Sequence, residues 1–223
     1  MPNLMPKFLI IFLLAIASAV QAGGQREEPL ANSVRATMQK SVSDSASPTL
    51  VFNTPEEGAA WLAEMSARLQ KRLPDTAYRE DFLKSVHYEA TRAGLDPQLV
   101  LGLIHIESAF KKYAVSSVGA RGYMQVMPFW VKSIGTPDQN LFHLRLNLRY
   151  GCTILRHYLD IERGDLYRAL GRYNGSLGKP KYPNLVVGTM RKHWQYTPAA
   201  IQPKTQQVQQ ETPKTIIAAQ SSN

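Results

Sequence analysis

Apolar residues in the middle of the chain recur three or four residues apart, the spacing of one face of a helix. The first series follows Thr54-Pro55-Glu56-Glu57, which combines an N-cap, a first-turn proline and a capping-box glutamate, and it runs to Leu73. Further helices are predicted over about 76–93, 96–107, 123–134, 144–162, 165–173 and 186–194. No segment alternates convincingly in the manner of a strand. The pattern therefore predicts an all-α fold.

The two ends of the chain lack this periodicity. Lys7 precedes a short apolar run and small residues, the pattern of a secretory signal peptide over residues 1–22. The run is shorter than the ~20 residues that a membrane span requires, although an uncleaved anchor is the alternative. Residues 23–53, rich in Ser, Thr, Gln and Gly, are predicted to be a flexible lead, and residues 197–223 a disordered tail. We expect an exported protein with no stable membrane span after cleavage.

The composition and net charge of the chain limit the functions that this protein can have. Cys152 is the only cysteine, so no intramolecular disulfide can form and stability must come from a packed core. The net charge of +9 suits a polyanionic target such as the cell wall. Nucleic acid is another polyanion, but no nucleic-acid-binding motif is present and export argues against it. The five histidines show no helical pairing typical of zinc, so neither metal nor cofactor is predicted.

Glu107 is a carboxylic acid at the end of an apolar helix. Its neighbours one turn away on the same face are Leu103, Ile104 and Phe110. Burial and the negative end of the helix dipole both raise a carboxyl pKa, and a general acid has to be protonated near neutral pH. The alternative is a surface ion pair with Lys111, four residues later.

A segment of small and polar residues follows Glu107-Ser108. It reads Ser116-Ser117-Val118-Gly119-Ala120-Arg121-Gly122-Tyr123-Met124-Gln125-Val126-Met127-Pro128. This resembles the signature of the soluble lytic transglycosylases, glycoside hydrolase family twenty-three, which is Glu-Ser, a spacer, and Ser-x-x-Gly-Ala-x-Gly-Leu-Met-Gln-x-Met-Pro. Tyr123 stands where that family usually has Leu. Later segments, Asn147-Leu148-Arg149-Tyr150-Gly151 and Ala169-Leu170-Gly171-Arg172-Tyr173-Asn174-Gly175, resemble two further family motifs in the same order.

The resemblance covers about residues 82–194. It implies a lysozyme-like catalytic domain, which we place at 82–196, after a helical N-terminal extension at 54–81. It also implies that Glu107 is the only catalytic acid and base. The residues that it places at the sugar are Ser116, Gln125, Met127, Tyr173 and Asn174.

The resemblance further implies an activity, cleavage of peptidoglycan between N-acetylmuramic acid and N-acetylglucosamine with formation of a 1,6-anhydro end. Most glycosidases use two carboxylates, and the remaining candidates for a second acid all have a local structural explanation. These candidates are Asp138, Asp160, Glu162 and Asp165. One acid is sufficient if the substrate N-acetyl group supplies the second function.

Two other functions stay open. One is a hydrolytic muramidase of goose-lysozyme type, and the other is a noncatalytic wall-binding component of a secretion assembly. Peptidoglycan strands are the expected partner, with a secretion or pilus assembly as a further candidate. The expected location is the periplasm.

Overall fold

The structure, a computed structural model, describes residues 24–197. The helices are α1 (Asn32–Ser43), α2 (Pro55–Leu69), α3 (Thr76–Arg92), α4 (Pro97–Ser108), α5 (Phe129–Ile134), α6 (Leu144–Ile161), α7 (Leu166–Tyr173) and α8 (Lys181–Thr189). A π-helical turn, Met190–Trp194, continues α8. Residues 24–197 contain no strand, only isolated bridges that Arg121 makes with Val115 and Val126. The predicted all-α class is confirmed, whereas the predicted signal peptide and nearly all of the predicted tail lie outside the described residues.

Short polar side chains cap the starts of four of the helices. Thr54 accepts a hydrogen bond from the backbone N–H of Glu57 at 3.2 Å, which caps α2. Three aspartates cap α3, α4 and α7 in the same way, namely Asp75, Asp96 and Asp165. Each cap pairs an N–H group that has no partner inside its own helix.

Two predicted helices have different bounds in the structure. The helix expected over 123–134 begins only at Phe129, because the residues before it form a tight turn. Gly122 and Gln125 both have positive φ there, 76° and 49°. The last helix begins at Lys181, ahead of the predicted residue 186.

The predicted flexible lead is wrong for residues 32–43, which form α1. Val34, Met38 and Val42 recur every four residues, and Met38 and Val42 are 4% and 2% exposed. This face packs on α5 and α6. The sequence did not predict this helix for two reasons. Ala31, at the N-cap position, provides no capping hydrogen bond, and the apolar stripe of Val34, Met38 and Val42 lies among polar residues. Burial of the apolar stripe stabilises α1 in place of a cap.

Helix α4 lies in the middle of the core and packs on α3, α8 and the π-helical turn. Its apolar residues Val100, Leu101, Leu103 and Ile104 are fully buried. At Gly102 a Cβ atom would lie 2.9 Å from the Cβ of Met190, so only glycine permits this close approach of the π-helical turn. Cys152 and the three tryptophans are buried as well. No helix in the described part of the chain is long and apolar enough to cross a bilayer.

A buried charge cluster joins α3 to α6. Glu89 is fully buried, and its Oε1 accepts hydrogen bonds from Nε and Nη2 of Arg149 at 3.1 and 2.8 Å. Its Oε2 accepts from Arg92 at 3.1 and 2.9 Å. A buried carboxylate with four such donors is well compensated, and removal of one arginine leaves it with half of them.

We expect Arg149→Met to lower the free energy of unfolding by about 3 kcal/mol, because Glu89 would stay buried with too few partners. The matched control is Arg156→Met on the same helix, whose ion pair with Asp160 joins side chains that are 36% and 66% exposed. That control should change stability by less than about 1 kcal/mol. Urea denaturation of both variants measures the difference, and equal losses would show that the buried cluster has no special role.

Candidate active site

Glu107 lies in the last turn of α4, and the helix ends abruptly after it. Ala109 and Phe110 both adopt positive φ, 49° and 65°, and the Ala109 N–H still bonds to the His105 carbonyl at 3.2 Å. Consecutive non-glycine residues in the left-handed region are costly, and such strain concentrates at functional sites. The turn directs the chain away from the helix and leaves the Glu107 carboxyl among buried side chains.

The Glu107 side chain is an isolated buried acid. The residue is 5% exposed, and the Tyr182 hydroxyl donates a hydrogen bond to its Oε1. Its Oε2 is buried and has no partner among the described residues. Burial raises the pKa of Glu107 to about 8, although the bond from Tyr182 acts in the opposite direction. The carboxyl is therefore mostly protonated at neutral pH.

The alternative of a surface ion pair with Lys111 does not fit this arrangement. Lys111 is exposed, and no cation in the described part of the chain forms an ion pair with Glu107. Helix α4 instead turns the carboxyl toward α7 and α8, which supply the two tyrosines near it.

Tyr173 and Tyr182 lie beside Glu107. Both are fully or almost fully buried, and burial together with the nearby Glu107 charge raises both phenol pKa values well above the usual range. Tyr173 ends α7, and its hydroxyl donates to the Met124 carbonyl at 2.7 Å. Tyr182 begins α8, and the sequence analysis missed it. Only the fold brings this tyrosine, 75 residues away, to Glu107.

The loop over residues 114–127 lies on the other side of Tyr173. The Gly122 N–H bonds to the Ala114 carbonyl at 2.9 Å, which closes the loop. The Gln125 carboxamide lies inside it and donates through Nε2 to the carbonyls of Ala114 and Gly122 at 3.1 and 2.8 Å. Ser116 Oγ accepts from the Ala120 N–H at 3.1 Å. Both polar side chains hold the loop in shape, and their predicted contact with sugar stays a prediction.

Asn147 of α6 fixes this loop to the helical core. It is fully buried, accepts from the Met124 N–H at 2.8 Å, and donates to the carbonyls of Arg121 and Leu141 at 2.9 and 2.8 Å. Gly151, one turn further on, lets Met124 pack against α6, since a Cβ there would lie 2.4 Å from its sulfur. Asn147 and Gly151 therefore serve the packing of the loop on α6.

The remaining two predicted residues are Met127 and Asn174. Met127 is the last residue of the loop and is partly buried. Asn174 caps the C-terminus of α7, and its Nδ2 donates to Ser176 Oγ at 3.1 Å. The fold thus brings Glu107, Tyr173 and Tyr182 together. The hydrogen bond from Tyr173 to the Met124 carbonyl also brings the neighbouring backbone of Gln125 and Met127 close to this group.

The other acids considered as partners of Glu107 are occupied elsewhere. Asp160 pairs with Arg156 at 2.7 Å, and Asp165 caps α7. Glu162 pairs with Arg168 and Arg172, which lower its pKa. Asp138 lies in an exposed turn, where a hydrogen bond from Thr136 lowers its pKa. Within residues 24–197, no cluster of histidine, cysteine and acidic side chains is suited to hold a metal ion.

Comparison with known proteins agrees with this geometry. Residues 84–186 match the family model described as the transglycosylase SLT domain. The chain is 38% identical over 88 residues to the transglycosylase of Enterobacteria phage PRD1. The aligned segment is 40% of this chain and 32% of that protein. It is 33% identical over 99 residues to membrane-bound lytic murein transglycosylase C of Haemophilus ducreyi, 41% of this chain and 24% of the relative.

A shorter match is closer in sequence. The chain is 49% identical over 47 residues to membrane-bound lytic murein transglycosylase C of Actinobacillus pleuropneumoniae serotype 5b, which is 21% of this chain and 13% of the relative. The chain thus spans about a third or less of these relatives. No solved structure matches it at a comparable level of significance. Over residues 84–186, the chain is therefore similar to the transglycosylase SLT domain of lysozyme-like lytic transglycosylases.

Proposed function

We propose that this protein is a peptidoglycan lytic transglycosylase with Glu107 as its only catalytic acid and base. The observation that carries the proposal is the buried Glu107 carboxyl, whose pKa is raised to about 8 and whose Oε2 has no partner in the described chain. An acid in this state holds a proton at neutral pH and offers it from a desolvated position.

The first step is protonation of the leaving group. Glu107 gives its proton to the glycosidic oxygen between N-acetylmuramic acid and N-acetylglucosamine, and the bond from that oxygen to C1 breaks. The carbonyl oxygen of the muramyl N-acetyl group attacks C1 and forms an oxazolinium-type intermediate. Since this group comes from the substrate, no second carboxylate is required. The local partners of Asp160, Glu162 and Asp165 are consistent with that.

The second step restores the acid. Glu107, now ionised, accepts the proton of the muramyl C6 hydroxyl as O6 attacks C1 and the bond from C1 to the N-acetyl oxygen breaks. The product carries a 1,6-anhydro end, and no water is consumed. Tyr182 holds the Glu107 carboxyl through both steps, because its hydroxyl donates to Oε1 in either protonation state. Tyr173 is placed to orient the N-acetyl group, with Ser116, Gln125, Met127 and Asn174 shaping the sugar site.

The cell envelope is the proposed location. The predicted signal peptide and the net charge of +9 support export toward an anionic wall, with the periplasm as the compartment. Two of the three named relatives are described as membrane-bound lytic murein transglycosylases, which is consistent with this location. A secretion or pilus assembly that needs a local opening in the wall is the proposed partner.

Digestion of purified sacculi tests the reaction and the residue together. We expect the wild type to release muropeptides with anhydro ends, lighter by one water than hydrolysis products. Glu107→Gln should lower the rate at least about a hundredfold, because the amide cannot donate the proton. The matched control is Glu64→Gln, an exposed glutamate on α2 that should keep full activity. Products that contain the added water would indicate a hydrolytic muramidase, and an inactive wild type would indicate a wall-binding protein.

The role of Tyr182 is tested by the pH dependence of kcat/KM. Its hydrogen bond stabilises the ionised carboxylate and so lowers the pKa of Glu107, and Tyr182→Phe should raise that pKa further. Activity requires protonated Glu107, so the alkaline limb of the profile should move to higher pH, by up to about one unit. The control is Tyr88→Phe on α3, which removes a tyrosine hydroxyl that donates to Asp44. A limb that stays in place, or moves to lower pH, contradicts the role of Tyr182.

A further inference from the structure

A short N-terminal segment lies against the proposed sugar site. Residues 24–28, called here the strap, have no regular secondary structure, and residues 26–28 are exposed. Gln25 is the exception, because it is only 4% exposed. A long polar side chain in an irregular segment is rarely buried unless its amide is hydrogen-bonded.

The Gln25 carboxamide is bonded on both sides. Its Nε2 donates to the Gln125 carbonyl at 3.2 Å, and its Oε1 accepts from the Met127 N–H at 3.1 Å. The Tyr173 hydroxyl is a further neighbour of this side chain. We call this set the amide site: the Gln125 carbonyl, the Met127 N–H and the Tyr173 hydroxyl.

The strap is also anchored on each side of Gln25. Gly24 packs on the turn after α7, where a Cβ atom would lie 2.6 Å from the Asn174 carbonyl oxygen. Gly175, with a φ of 70°, lies so close to Gly24 that neither position admits a side chain without a shift. Glu28 accepts from Arg172 of α7 at 3.2 Å. The strap thus runs from the turn after Tyr173 across the amide site.

The amide site is matched to a chemical group that Gln25 shares with the proposed substrate. An N-acetylated sugar carries an acetamido group, with one carbonyl acceptor and one N–H donor. The carboxamide of Gln25 presents the same pair to the Met127 N–H and the Gln125 carbonyl. One site cannot hold both groups at once.

We propose that the strap is an autoinhibitory segment, in which the Gln25 carboxamide occupies the position of a sugar acetamido group and has to leave before a glycan strand binds. The proposal rests on the proposed function, since it takes N-acetylated glycan as the substrate class. The strap is held by the two hydrogen bonds of the Gln25 carboxamide, by the packing of Gly24 on the turn after α7, and by an ion pair whose Glu28 side chain is 47% exposed. Such a segment opens at small cost, and the fraction of closed molecules lowers the apparent affinity for glycan.

Binding of the N-acetylglucosamine tetramer to the full chain in the Glu107→Gln background tests the strap without turnover. We expect Gln25→Ala to bind the tetramer roughly tenfold more tightly, because loss of both hydrogen bonds shifts the strap toward its open state. The matched control is Glu27→Ala in the same segment, whose side chain is exposed and should leave the affinity unchanged. Isothermal titration calorimetry gives the affinities, and thermal unfolding checks that both variants are folded. Affinities equal to that of the control, or weaker binding by Gln25→Ala, would overturn the proposal.

Steady-state kinetics of proteins that retain Glu107 test the strap proposal separately from the proposed function. An intramolecular competitor raises KM and leaves kcat unchanged, so Gln25→Ala should lower KM for sacculi digestion roughly tenfold at constant kcat. If the tetramer binds more tightly but no anhydro products form, the strap is upheld and the proposed reaction is wrong. If the wild type and Gln25→Ala both form anhydro products with the same KM, the strap proposal is wrong and the proposed reaction stands.

Discussion

The Glu107 carboxyl is buried against a single hydrogen-bond donor, and the arrangement around it follows from that constraint. The apolar face of α4 brings the acid into the core, and the left-handed turn at Ala109 and Phe110 ends the helix just beyond it. Desolvation raises the pKa of Glu107 to about 8, and the Tyr182 hydroxyl moderates the shift. A second buried acid nearby would raise the pKa further and lower the stability of the fold, because two like charges cannot both be desolvated there. A reaction that needs only one carboxylate suits this environment.

The proposed site also depends on a backbone segment that is held rigidly near Glu107. Asn147 makes three hydrogen bonds to the loop at 114–127 and its surroundings, and Tyr173 adds a fourth through the Met124 carbonyl. The loop is thereby fixed to α6 and α7, the same part of the core that surrounds Glu107. Backbone groups held in this way recognise an amide without reorganising, which connects the loop both to the proposed sugar site and to the strap.

Sequence pattern predicted the helical class, the capped start of α2 and the buried setting of Glu107, because these depend on local spacing and capping chemistry. It failed where tertiary contacts decide the outcome. Helix α1 forms because Met38 and Val42 are buried against α5 and α6, and the turn before Phe129 forms because the loop bonds to Asn147. Tyr182 and Gln25 were missed for the same reason, since each meets the site only through the fold.

The proposed reaction depends on a Glu107 side chain that carries a proton at neutral pH. Titration of the Glu107 side-chain carboxyl carbon by ¹³C NMR, assigned by comparison with the Glu107→Gln variant, measures this directly. A midpoint near pH 8 is expected from the burial of the carboxyl. A midpoint near 4.5, the ordinary value for a glutamate, would mean that the group is ionised at neutral pH and would contradict its role as the general acid.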